Sequence, residues 1–243
     1  MRRTGSWIFV TLFFAAIGPG SPSVAAQAAE GASADSLAET PIAWSATYAS
    51  RYSFQGLDYS EGRSVLQPQV SGSLQGLTLT AWGNLDQTRR ELNEIDLSLQ
   101  RDWSLARLSV ALGYAHLRYP QRDWDPTHEV FADLTVEAPL EPSLSVHWDV
   151  AAGLGRHWAL GVSHTVPWRG GSVALATRLY VHDHYYELTG MPALETSLSA
   201  SAAWGSIAVQ PTLSWIWTWA NGDFRDDQAV RGGWVVAIQC SSR

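Results

Sequence analysis

Ile207-Ala-Val-Gln-Pro-Thr-Leu-Ser-Trp-Ile-Trp-Thr-Trp219 is the stretch that decides the fold. Apolar side chains stand at nearly every odd position, while Gln210, Thr212, Ser214 and Thr218 stand between them. A period of two is that of a β-strand, because successive side chains point to opposite faces of the sheet. The stretch therefore predicts a long strand with one apolar face and one polar face.

The same alternation recurs along the chain and predicts further strands of about ten residues, separated by turn residues. The twelve candidate strands are 43–54, 64–74, 77–86, 92–102, 106–117, 127–138, 143–151, 156–167, 172–184, 193–204, 206–219 and 230–240. Their connections are mostly short on one side, as at 75–76 and 205, and mostly longer on the other, as at 55–63, 118–126 and 185–192.

An even number of such strands, with short turns at one end and long loops at the other, is typical of a bacterial outer-membrane barrel. The predicted fold class is all-β: a transmembrane, up-and-down antiparallel β-barrel of about 12 strands. A secreted β-sandwich would also alternate in this way and is the alternative fold.

Tryptophan is frequent in this chain, with 13 residues, and seven of them fall near the ends of predicted strands on the apolar face. Barrels in membranes carry two aromatic girdles at the headgroup layers, which favours the barrel over the sandwich. The predicted girdle residues are Trp44, Trp103, Trp168 and Trp204 at the periplasmic end, and Trp158, Trp217 and Trp219 near the outer end, with Tyr52 and Phe54.

Composition excludes several other functions. The 243 residues include 16 Lys+Arg, all of them arginine, against 23 Asp+Glu, for a formal charge of −7. Binding to nucleic acid requires clustered cations and is therefore not expected. The one cysteine, Cys240, excludes an intrachain disulfide and a cysteine-based zinc site.

The beginning of the chain has the composition of an export signal. Two arginines precede an apolar run over 7–17, which is followed by small residues up to Ala28. This order predicts a secretory signal peptide over 1–28, because the run is too short to cross a bilayer as a helix. A flexible periplasmic leader over 29–42 and the barrel over 43–243 are expected to follow. The expected location is the bacterial outer membrane, with lipid, lipopolysaccharide and the barrel-assembly machinery as partners.

If the apolar face contacts lipid, the opposite face lines the lumen, and charged residues dominate it. Such side chains need water or a nearby partner, so they either form pairs that plug the barrel or line a wet passage that favours cations. The predicted pore-lining residues are Arg51, Asp86, Glu94, Asp96, Glu129, Asp133, His147, Asp149, Arg178 and Glu195; Gln67, Gln69, His157 and His182 share their face.

Two further pairs are candidate chemical sites. Ser145 and His147 share one face, as the residues of a barrel hydrolase would, but no orienting amide accompanies them. His182 and His184 could hold a metal ion, yet two imidazoles without a third ligand do not make a site. No enzyme activity, cofactor or metal is therefore predicted.

Several short motifs resemble the opening repeats of the TorF-type porins, a family of small proteobacterial outer-membrane barrels. The motifs are Tyr48-Ala-Ser-Arg-Tyr-Ser-Phe-Gln-Gly56, Val65-Leu-Gln-Pro-Gln-Val70, Leu79-Thr-Ala-Trp-Gly-Asn84 and Glu91-Leu-Asn-Glu-Ile-Asp96, followed by Leu112-Gly-Tyr114, Glu129-Val-Phe131 and Val146-His-Trp-Asp149. The resemblance covers most of 44–239. It implies a porin barrel and transfers no catalytic or ligand-binding residue.

Together these patterns predict a porin that passes small polar or cationic solutes by passive diffusion. The alternative is a non-conducting structural barrel whose extracellular loops, such as 118–126 and 221–228, bind a ligand or partner. A barrel hydrolase is the third hypothesis. Oligomeric state and solute identity are left open.

Overall fold

The computed structural model describes residues 42–219 and 231–242. The predicted signal peptide and nearly all of the predicted leader lie outside these residues. In the described part of the chain, no helix has the length and apolar character needed to cross a membrane.

The described residues form fifteen β-strands. They are β1 (Ile42–Ala49), β2 (Ser53–Phe54), β3 (Leu57–Asp58), β4 (Val65–Leu74), β5 (Leu77–Asp86), β6 (Glu91–Leu105), β7 (Leu108–Arg118), β8 (Thr127–Val136), β9 (Ser143–Asp149), β10 (Arg156–Trp168), β11 (Gly171–Tyr185), β12 (Leu188–Gly190), β13 (Ala193–Trp204), β14 (Ile207–Thr218) and β15 (Gly233–Ser242).

Twelve of these strands close into one antiparallel barrel in the part of the chain that the structure describes. Each barrel strand pairs with its neighbour along the chain, and β1 closes the barrel against β15, with Ala46 opposite Cys240 and Tyr48 opposite Ile238. Closure leaves no edge strand among the twelve described barrel strands, and hydrocarbon would not tolerate such an edge. The prediction of a twelve-stranded antiparallel barrel is confirmed.

The two faces of the wall differ as the alternation predicts. Leu79 and Leu97 lie on neighbouring strands on the exposed outer face. Thr78 and Gln100 are partners on the inner face and are buried. The outside is therefore largely apolar, and the inside is largely polar.

Proline interrupts two strands without shifting them. Pro68 lies in β4 and Pro211 in β14, and both side chains are exposed. The β4–β5 register is the same before and after Pro68, since Leu66 pairs with Leu85 and Gln69 with Trp82. The missing N–H thus removes local pairing with β5, without a bulge.

The predicted girdle tryptophans lie near strand ends. Trp44, Trp103, Trp168 and Trp204 are exposed at the end of the barrel with the short turns, here called the turn end. Trp217 and Trp219 are exposed at the opposite end, the loop end, where Trp158 is half-buried. Their contact with lipid headgroups stays a prediction.

The largest departure from prediction concerns Tyr52 and Phe54. Strand β1 ends at Ala49 instead of continuing to 54, and the segment 50–64, here called loop 1, contains the β2–β3 hairpin. Tyr52 is only 1% exposed, so it is not an outer girdle residue. The placement of both aromatic residues in the girdle was wrong, because loop 1 turns inward instead of extending the wall.

Candidate functional site in the barrel lumen

Loop 1 reaches across the lumen as a tight hairpin. Phe54 pairs with Leu57, and the two residues between them, Gln55 and Gly56, have φ values of 53° and 80°. Two successive positive φ values are those of a type I′ turn, the turn that best suits a two-residue hairpin. The tip lies against β13, where a β-carbon added to Gly56 would be 2.6 Å from Cβ of Ala193.

Side chains from several elements hold loop 1 in this position. Arg51 donates from its guanidinium to the carbonyl oxygens of Gly232 and Gly233, each at 3.2 Å. Arg122, in the loop after β7, donates to the carbonyl oxygen of Tyr59 at 3.0 Å. The ring of Tyr52 packs against Trp82 of β5, with ring centroids 5.8 Å apart. These contacts make loop 1 part of the folded lumen.

A charged cluster at the loop end closes the base of loop 1. Arg63 donates at 2.7 Å to both Asp86 and Glu61. The hydrogen bond to Arg63 lowers the pKa of Glu61, and the bonds to Glu61 and Asp86 raise the pKa of Arg63. Asp86 also accepts hydrogen bonds from the backbone N–H groups of Thr88 and Arg89. Asp86 therefore connects Arg63 to the backbone of the turn after β5 at the loop end of the barrel.

A row of rings crosses the inner wall where three strands meet. Phe131 of β8, His147 of β9 and His157 of β10 are register partners. The centroids of Phe131 and His147 are 5.1 Å apart, and those of the two histidines are 4.5 Å apart. All three rings are nearly fully buried. The strand register thus creates a stack that no single strand contains.

Glu129 holds the two imidazoles together. Its carboxylate lies 3.0 Å from Nδ1 of His147 and 3.6 Å from Nε2 of His157. Tyr185 donates to the same carboxylate at 2.8 Å. We refer to Glu129, His147 and His157 as the imidazole–carboxylate cluster. Loop 1 contacts it directly, because the side-chain amide of Gln55 lies within hydrogen-bonding distance of His157 Nε2.

A glycine makes room for the ring row. Gly113 of β7 is the register partner of Phe131, and a β-carbon there would lie 2.1 Å from the ring. The Phe131 ring therefore covers the backbone of Gly113, and it stacks on His147 from that position. This packing fixes one side of the cluster.

A second acidic group lies on β6. Glu94 and Asp96 share the inner face and are buried. The carboxylate oxygens of Asp96 have no hydrogen-bond partner among residues 42–219 and 231–242. A register shift opposite Asn84 turns Asn93 inward as well, where it accepts a hydrogen bond from Asn84 at 2.7 Å.

The ten predicted pore-lining residues are not equivalent in the structure. The buried members are Arg51, Asp86, Glu94, Asp96, Glu129, His147 and Asp149, and the half-buried members are Asp133, Arg178 and Glu195. Arg178 and Glu195 are register partners, and Glu195 accepts a hydrogen bond from Tyr180 at 2.8 Å. Asp149 accepts hydrogen bonds from Thr127 and from the backbone of Ala151, so it supports a loop. Which of them line a pore stays a prediction.

The half of the lumen near the turn end has a different lining. Its buried polar side chains are mostly short hydroxyls and amides, namely Ser45, Ser71, Thr78, Gln100, Ser163, Gln210, Thr212 and Ser241. Long charged and aromatic side chains concentrate near the loop end, together with loop 1. The lumen is therefore most filled near its loop end.

The two candidate chemical pairs, Ser145 with His147 and His182 with His184, do not form in the structure. Ser145 donates to Asp133, while His147 bonds to Glu129. His182 is buried and near loop 1, whereas His184 is exposed after a register shift and bonds to Asp183. The register relationship of Glu129, His147 and His157 was not predicted, although each was assigned to the inner face. The three residues are far apart along the sequence, so no local pattern indicates that they meet.

The fold is found in proteins of known structure. A solved structure of NanC porin superposes with a TM-score of 0.57 and 13% sequence identity, covering 84% of this chain and 100% of that chain. A second porin structure, refined at 1.8 Å, has a TM-score of 0.35 and 12% identity, covering 74% of this chain and 61% of that chain. No protein-family model matches the sequence, and no curated protein matches it. The similarity to NanC porin shows a shared barrel fold.

Proposed function

We propose that this protein is an outer-membrane pore through which small polar or cationic solutes diffuse passively, with a passage narrowed by loop 1. A closed barrel with an apolar outside and a polar inside suits a membrane whose interior supplies no hydrogen bonds. The porin fold of its structural neighbour supports the same proposal. Lipid and lipopolysaccharide would contact the exposed apolar face.

The observation that carries the cation preference is the buried acidic pair on β6. Asp96 is 3% exposed, and its carboxylate has no hydrogen-bond partner in the described protein. A carboxylate in such a place is stable only if water or a cation reaches it, or if it is protonated. Glu94 lies two residues away on the same face, so a cation there would meet two acidic groups.

The alternative is a non-conducting structural barrel with partner-binding loops, and a specific observation favours it. Loop 1 contacts Ala193 of β13 and His157 of β10, and Arg51 donates to the carbonyl groups of Gly232 and Gly233. A loop tied at these places could block the lumen completely. Conductance separates the two functions, since a blocked barrel carries no current.

The experiment is a reversal-potential measurement in a planar bilayer under a salt gradient. The pore predicts single-channel steps with a cation-selective reversal potential. In the isosteric Glu94→Gln/Asp96→Asn variant, that potential should shift toward the unselective value. Asp183→Asn, at an exposed ion pair with Arg156, is the control and should leave selectivity unchanged. The absence of current from correctly folded protein would favour the structural barrel.

A further inference from the structure

We propose that the imidazole–carboxylate cluster binds one divalent transition-metal ion of the Zn²⁺ class, with Gln55 of loop 1 as a fourth ligand. Imidazole nitrogen and carboxylate oxygen are ligands that Zn²⁺ and its neighbours accept. The proposal does not rest on conduction, since a blocked barrel could hold the same ion.

The donor atoms are already close together. One ring nitrogen from each of His147 and His157 and one carboxylate oxygen of Glu129 all lie within 4.8 Å of one another. Ligand atoms around a tetrahedral Zn²⁺ lie about 3.3–3.5 Å apart, given metal–ligand distances of about 2.0–2.2 Å. Oε2 of Glu129 lies 3.0 Å from His147 Nδ1, and Oε1 lies 3.6 Å from His157 Nε2, so the two separations bracket that value. Small side-chain rotations would complete the site.

The arrangement exceeds what an ion pair requires. The contact between Glu129 and His147 by itself would satisfy a buried carboxylate. A second imidazole, His157, lies 4.5 Å from the first and points its Nε2 at the same carboxylate. Both rings are buried, at 3% and 2% exposure. Two imidazoles that converge on one carboxylate form a ligand set.

Gln55 supplies the second, independent observation. It is 6% exposed, and its Oε1 has no hydrogen-bond partner within the described ranges. Its Nε2 lies 2.5 Å from Nε2 of His157. The oxygen and nitrogen of a glutamine amide exchange places by a half-turn about the last side-chain bond. That rotation would direct the oxygen toward the ion.

Neighbouring groups orient the proposed ligands. Tyr185 donates to Glu129, and Phe131 stacks on His147. Such outer contacts typically contribute about 10–100-fold to metal affinity. An ion bound here would tie the tip of loop 1 to β8, β9 and β10, so metal binding would hold the loop in the lumen.

The test uses the full, untagged chain folded in detergent, with Co²⁺ and Zn²⁺ as probes. Co²⁺ should give the visible absorption of a four-coordinate site at one equivalent, and Zn²⁺ should displace it. Glu129→Gln and His157→Gln should each weaken Zn²⁺ binding by more than about 100-fold, because direct ligands contribute more than outer groups. His164→Gln is the control, since His164 is exposed and bonds to the Pro139 carbonyl oxygen. It should leave the affinity unchanged.

A second readout addresses loop 1. Zn²⁺ should slow tryptic cleavage after Arg51 and Arg63, which flank the hairpin, and Gln55→Ala should reduce that protection. The proposal is overturned if the unmodified chain shows no four-coordinate Co²⁺ spectrum, a result that requires no variant to fold. It is equally overturned if folded His157→Gln binds Zn²⁺ as tightly as the unmodified chain does.

Discussion

Gly56 at the tip of loop 1 lies so close to Ala193 of β13 that a β-carbon on Gly56 would be 2.6 Å from the Ala193 β-carbon. The contact joins a loop that follows the first strand to β13, which is separated from β1 by β15 and β14. Together with the contact between Gln55 and His157 of β10, on the opposite side of the barrel, it shows that loop 1 crosses the lumen. The position also requires a φ of 80°, which side chains other than glycine rarely adopt.

Gly56→Ala should therefore displace loop 1 without unfolding the barrel. The left-handed conformation costs alanine about 1–2 kcal/mol, and overpacking against Ala193 costs about 1–3 kcal/mol. Both costs destabilise loop 1 in its position inside the lumen. Faster tryptic cleavage at Arg51 and Arg63 would report the displacement. Gly76→Ala is the matched control, because its φ is 78° but a β-carbon would meet nothing within 4 Å. Equal cleavage rates in the two variants would contradict the predicted contact.

The two faces of β6 should respond differently to the same charge. Leu99 is exposed on the outer face, and its neighbour Ser98 is half-buried on the inner face. Near the middle of a membrane, an arginine on the lipid face costs about 2–4 kcal/mol. Leu99→Arg should therefore lower the free energy of unfolding in phospholipid bilayers by about that amount, and Ser98→Arg by clearly less. Denaturant titration measures both, and the reverse order would refute the assignment of faces.

The ring row predicts a coupled pair of substitutions. Gly113→Ala places a β-carbon against the Phe131 ring and should cost about 1–3 kcal/mol through overpacking. Phe131→Leu removes that ring, so the double variant should be more stable than the sum of the two single effects predicts. A double-mutant cycle in denaturant gives the coupling. Strictly additive effects would mean that the two residues do not touch.

The base of loop 1 predicts a response to acid. Arg63 lowers the pKa of Glu61 below its ordinary 4.5. The stabilisation of the folded protein by this hydrogen bond is therefore fully present above pH 4.5 and is lost as the pH falls through the lowered pKa. An NMR titration of the Glu61 carboxyl group should have a midpoint below 4.5. In Arg63→Gln the midpoint should return toward 4.5. An unchanged midpoint in that variant would exclude the hydrogen bond as the cause.

Much of the wall could be predicted from the sequence, because alternation reports which side chains meet apolar surroundings. In β14, Leu213 and Trp217 are exposed while Thr212 and Ser214 are buried, as the pattern indicates. Strand ends were predicted less well, since β6 continues to Leu105 rather than ending at 102.

Loop 1 could not be predicted in the same way. Alternation continues through Tyr52 and Phe54, so a local pattern cannot distinguish a longer strand from a loop that folds inward. The one local signal was Gln55-Gly56 between two apolar residues, which resembles a hairpin turn. The contacts of its tip depend on Ala193, more than 130 residues away along the sequence. The meeting of Glu129, His147 and His157 likewise depends on the register of β8, β9 and β10.

The most direct test of the account compares the single-channel conductance of the unmodified chain with that of a variant in which residues 52–62 are replaced by a short Gly/Ser linker. Heat-modifiable electrophoretic mobility would first establish that both proteins are folded barrels. If the lumen is the passage and loop 1 narrows it, the variant should conduct several-fold more current per step. Equal conductance in both proteins, or no measurable current from either, would contradict the account.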